Sequence, residues 1–125
     1  MQKRIEVTKS YIEENTLYLQ TEEFKHQIKN VQDTMQMITD SDNVSFIYIL
    51  DVNDEFVYVS IPASVWPNLK DVLHSEQKIV AIVNEHKIEL EGLKEELEYL
   101  ISNIEGNTNY GEEMVSKVEA LFLDK

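Results

Sequence analysis

Three histidines, His26, His74 and His86, are the side chains able to exchange a proton near neutral pH without help from their surroundings. If residues 77–83 form a strand, their length of about 23 Å at ~3.3 Å per residue sets His74 and His86 at opposite ends, too far apart to share a metal ion. His26 could join either only with carboxylates as further ligands. Carboxylates are plentiful, but acid–base work needs two of them in a common cleft, and the spacing of Glu95 and Glu96 puts both on the wet side of a helix. Asp40-Ser41-Asp42-Asn43 and Asp51-Val52-Asn53-Asp54 are oxygen-rich, yet lack the glycine and distal glutamate of a calcium loop and read as turns. There is no cysteine, and the three glycines, Gly92, Gly106 and Gly111, make no phosphate-binding loop. No catalytic set, metal site or cofactor is therefore expected.

Two stretches remain with binding chemistry. Asn107, Asn109 and Tyr110 lie in a polar loop bounded by Gly106 and Gly111, and with Trp66 they are the candidate ligand-binding residues: rings to stack, amides to hydrogen-bond. The plainer readings are a connector needing left-handed backbone at glycine, and a tryptophan that anchors packing. Glu95, Glu96, Glu98, Glu112 and Glu113 are the candidate protein-interaction residues.

These residues must be held by recognisable elements. Residues 44–61 hold two runs rich in β-branched and aromatic side chains around Asn53-Asp54-Glu55, the composition of an antiparallel hairpin, and apolar groups on both faces imply a partly covered second side. Residues 3–12 and 17–19 form another hairpin, with a slip near Ser10 suggesting a bulge. Phe24, Ile28 and Val31 fit two or three helical turns, and Met35, Met37 and Thr39 alternate as a strand leading into the 44–61 hairpin. Pro62 ends a strand, and Ser64 is placed to cap a helix running to Leu73 with Pro67 in its first turn. Ile79 to Val83 is a continuous apolar run suited to a buried strand, followed by a turn and a strand at 88–90. From Gly92 the period becomes helical: Leu93, Leu97, Leu100, Ile101 and Ile104, a stop at Gly106, then a second helix from about Glu112 to Leu123. The expected fold is a single α+β domain, 1–125: an antiparallel twisted sheet of six or seven strands, with one helix after the central hairpin and two C-terminal helices packed on it.

Charge narrows the partners. The chain carries a net −13; residues 1–33 hold six acids against five bases, so −12 falls on residues 34–125. Such a surface opposes nucleic acid and anionic membranes, and the longest strongly apolar run is far too short to span a bilayer. A cytoplasmic location is expected, with a protein partner, basic or a second copy of the chain forming a homo-oligomer.

Three segments carry a resemblance: Asp40 to Ile49; Ser64-Val65-Trp66-Pro67-Asn68-Leu69-Lys70; and Glu95 through Gly111. They resemble a family of small, acidic, uncharacterised cytosolic proteins from Bacillus-like Gram-positive bacteria. The likeness implies a bacterial origin and supplies no catalytic residue.

Overall fold

The structure is a computed structural model and describes residues 3–124. Seven strands, β1 (Lys3–Glu13), β2 (Thr16–Thr21), β3 (Val31–Asp40), β4 (Ser45–Val52), β5 (Glu55–Pro62), β6 (Lys78–Val83) and β7 (His86–Glu89), join three helices, α1 (Trp66–Leu73), α2 (Leu93–Ile104) and α3 (Glu112–Phe122). The strand order is β3-β4-β5-β1-β2-β6-β7. The α+β class, the strand number and the three packed helices agree with the pattern of the sequence. The sheet is mixed, however, and not wholly antiparallel. The β1–β2 hairpin inserts between β5 and β6, and both of its outer joints, β1 with β5 and β2 with β6, are parallel.

The helices pack on the face that carries Phe46, Tyr48, Leu50 and Val52, where they bury Leu93, Leu97, Ile104, Met114 and Val118. Alternation along β4 turns Ile47 and Ile49 to the opposite face, where both are buried although no helix covers them. The same alternation separates Tyr48, opposite Val59, from Tyr58, opposite Ile49, so the two tyrosines are not cross-strand neighbours. The sheet curls until β7 approaches β3, where the Glu91 amide donates to Asp33.

Residues 22–30 contain no helix. Their apolar spacing is satisfied instead by Phe24, buried as a plug, while asparagines in two hairpin turns meet the backbone groups that a helix would have paired. Asn84 accepts from the Phe24 amide at 2.9 Å and donates to its carbonyl at 2.9 Å; Asn53 accepts from the amides of Lys29 (2.8 Å) and Asn30 (3.1 Å) and donates to the Gln27 carbonyl. Both turn residues have left-handed backbone, φ 54° at Asn53 and 56° at Asn84, which asparagine tolerates. Ser64 does not cap α1; it sits in a short 3-10 turn, Ala63–Val65, and the helix starts without a side-chain cap. The bulge in β1 falls between Val7 and Lys9.

Candidate functional site

At the N-terminus of α2 a partly buried polar node joins sheet to helix. Tyr48 donates its hydroxyl to Asp33 Oδ1 at 2.6 Å and accepts the Gly92 amide at 3.1 Å. Asp33 also accepts from the amides of Met35 (2.7 Å) and Glu91 (2.9 Å). Burial first, and the Asp33 carboxylate second, push the Tyr48 phenol well above its ordinary range, so it stays protonated. A β-bulge between Asp33 and Gln36 makes the geometry, turning Met35 outward with φ 58°. Both oxygens of Asp33 are engaged by these donors, so the node acts as a latch between β3, β4 and α2.

Beside it, between the edges of β3 and β7, lies an open cleft of about 410 Å³ lined by Asp33, His86, Glu89 and Glu91, with Lys29 and Lys87. Among the described residues no carboxylate reaches ion-pair distance of the His86 ring, and no group of three or more His, Asp or Glu side chains converges as a metal site would require. His74 does meet a carboxylate, Glu98 at 3.3 Å, but on the open surface, with 80 % of the imidazole side chain exposed. Such a pair lacks the water-poor cleft that acid–base chemistry needs.

On the uncovered face of the sheet, Arg4 donates to Glu6 Oε2 (3.0 Å), to Asp40 Oδ2 (2.7 Å) and to Ser60 Oγ (3.0 Å). Its side chain thus reaches from β1 past β5 and β4 to β3. Asn43 donates to the same Asp40 carboxylate at 2.8 Å. Asn43 and Arg4 together hold that carboxyl below the usual range, and Asp40 raises the guanidinium in turn.

The predicted ligand residues are distributed as follows. Trp66 is buried against Phe46 and Phe122, at centroid distances of 4.7 and 5.9 Å, and donates Nε1–H to the Ile61 carbonyl at 3.0 Å. It borders a groove of about 340 Å³ between α1 and α3, lined also by Ala63, Pro67, Lys117, Ala120 and Leu121. Asn107, Asn109 and Tyr110 are not among the residues lining that groove. Asn107 instead accepts from the Asn109 amide at 3.1 Å, inside the short 3-10 turn Thr108–Tyr110 that connects α2 to α3.

Of the predicted interaction residues, Glu95, Glu98, Glu112 and Glu113 are exposed. Glu96, expected in water, is half-buried and accepts from the Met37 amide at 3.3 Å, because α2 lies against β3, the edge strand of the sheet. Residues 91–124 hold nine carboxylates against two lysines. One of the two, Lys94, is committed to the carbonyls of Ser75 and Gln77.

Pattern reading missed the Asp33–Tyr48–Gly92 node, the Arg4–Asp40 bridge and a tyrosine stack on the sheet's outer face. Only the stack had a signal, tyrosines at Tyr11 and Tyr18 symmetric about the Glu14-Asn15 turn. The node and the bridge join residues distant in sequence.

The family of unknown function UPF0738 matches residues 5–122. A UPF0738 protein of Bacillus cytotoxicus is 46 % identical over 123 residues, 98 % of this chain and all of the relative. One from Bacillus mycoides is 44 % identical over the same shares, as is one from Bacillus cereus. No solved structure matches. With a match running from the first strand into the last helix, and with relatives aligned over their whole length, the chain belongs to the UPF0738 family of unknown function.

Proposed function

We propose that this protein is a non-catalytic, cytoplasmic protein-interaction module whose helical side docks a basic protein partner. The observation that carries the reading is the charge of residues 91–124: nine carboxylates against two lysines, one of them tied to backbone carbonyls. Glu95, Glu98, Glu112 and Glu113 stand in water, where they raise the on-rate of a basic partner and repel an acidic one. The test is paired capture from native cytosol with the wild type and a variant carrying Glu95→Lys, Glu98→Lys, Glu112→Lys and Glu113→Lys. A basic protein held by the wild type, lost by the variant and released by salt is the expected result. Identical captured sets, or salt-insensitive capture, reject the reading.

The groove beside Trp66 favours a second reading, a small apolar ligand held between α1 and α3. Ala120→Trp would fill that groove. A ligand-induced rise in melting temperature that survives this substitution rejects it.

A further inference from the structure

The outer face of β1, β2, β6 and β7 has a pattern that the acidic helical side does not share. Tyr11 on β1 stands opposite Tyr18 on β2, with the rings stacked at 5.3 Å and an interplanar angle of 29°. Tyr18 is level with Val80 on β6, and the next row sets Gln20 beside Ile82. These side chains point away from Leu17, Leu19, Ile79 and Ala81, which alternate into the core, and all but Gln20 are half-buried. Lys9 lies over the Tyr11 ring at 5.6 Å and Lys87 over the Tyr18 ring at 5.4 Å. The charged groups of this face are Arg4, Lys9, Lys78 and Lys87 against Glu6, Glu13 and Glu89, close to neutrality in a chain of −13. Two copies meeting here avoid the repulsion that opposes contact between their acidic helical sides.

The order of charges on β1 selects the occupant. Lys9, Tyr11 and Glu13 are alternate residues and so share the outer face. A two-fold axis lying between two such faces, across the strands at Tyr11, sets Lys9 of each copy against Glu13 of the other and ring against ring. Such an interface is isologous and self-complementary. We propose that the Lys9–Tyr11–Glu13 face, with Tyr18, Val80 and Ile82, is the contact of a homodimer. It leaves the helices free for another partner. Four strands ~4.8 Å apart and about 20 Å of strand length span roughly 400 Å² per copy in projection, the size of a weak, concentration-dependent association.

Sedimentation equilibrium from about 10 to 500 µM tests it with the full chain, folding being checked for each variant by circular dichroism. The wild type is expected to dimerise in that range. Lys9→Glu and Glu13→Lys, each alone, place like charges opposite one another and weaken dimerisation at least fivefold. An equimolar mixture of the two single variants associates again, and the double variant K9E/E13K dimerises like the wild type, because both restore opposite charges across the axis. A wild type that stays monomeric to 500 µM overturns the proposal. So do single variants that dimerise unchanged, or a mixture and a double variant that both fail to recover.

Discussion

Gly92 is the position where one added methyl group should do most damage. Its backbone is ordinary for a helix start, φ −90°, so the cost is steric and not conformational. A Cβ there would stand 2.9 Å from both Cα and Cβ of Met35 and 3.1 Å from the Tyr48 hydroxyl. Carbon atoms in contact prefer about 3.5–4.0 Å, so the overlap approaches ~1 Å. Neither neighbour can yield cheaply: Met35 sits in a left-handed bulge pinned by Asp33, and Tyr48 is buried. Overpacking of this kind costs about 1–3 kcal/mol, and a shifted Gly92 amide that loses Tyr48 adds about 1 kcal/mol. At ~0.26 kcal/mol per kelvin of unfolding entropy for a domain of this size, Gly92→Ala should lower the melting temperature by about 8–15 °C. Circular dichroism and the fluorescence of Trp66, the one tryptophan, follow the transition. Gly106 is the control, because it has φ +67° and a Cβ added there would meet nothing within 4 Å, so its cost lies in the backbone alone. Gly106→Ala should cost about 1–2 kcal/mol and Gly106→Asn less, since asparagine visits that conformation. A Gly92→Ala protein melting within about 2 °C of the wild type would refute the steric argument.

Three further outcomes are expected. Tyr48→Phe leaves the Gly92 amide and Asp33 short of a partner and should cost about 1–3 kcal/mol at neutral pH. Because the Tyr48 phenol is raised in the folded state, its contribution is whole below about pH 10 and is lost as pH rises past that value; urea midpoints across pH 8–11 should fall less steeply for Tyr48→Phe than for the wild type. Asp40 has the opposite sign: its carboxyl is lowered, so its contribution is whole above about pH 4 and disappears as pH falls below that. Asp40→Asn should cost about 1 kcal/mol at pH 7 and flatten the acid limb of a stability profile measured down to pH 2. Asn53→Gly keeps the left-handed turn but removes the side-chain clamp, so hydrogen exchange should quicken at the Lys29 and Asn30 amides while Phe24, held by Asn84, keeps its protection.

Patterns confined to neighbouring residues are legible in the chain without its fold. The β4–β5 hairpin follows from β-branched and aromatic runs around Asn53-Asp54, and α2 and α3 follow from their apolar periods with Gly106, at φ 67°, between them. The acidity of the C-terminal third is equally plain, because charge needs no fold to be counted. Long-range pairing is not legible. Which edges the β1–β2 hairpin would occupy depends on the free edges of β5 and β6, so the two parallel joints could not be read from alternation, which has the same period in either direction. The periodicity of Phe24, Ile28 and Val31 suggests a helix, and the tertiary structure decides otherwise by bringing Asn53 and Asn84 from turns 23 and 60 positions away to bond that backbone. Glu96, Asp33 and Arg4 likewise acquire their roles only when β3 comes beside α2 and β1 beside β5. A side chain's type states what it can bond to; the assembled chain alone determines which partner lies within the ~3 Å that a hydrogen bond requires.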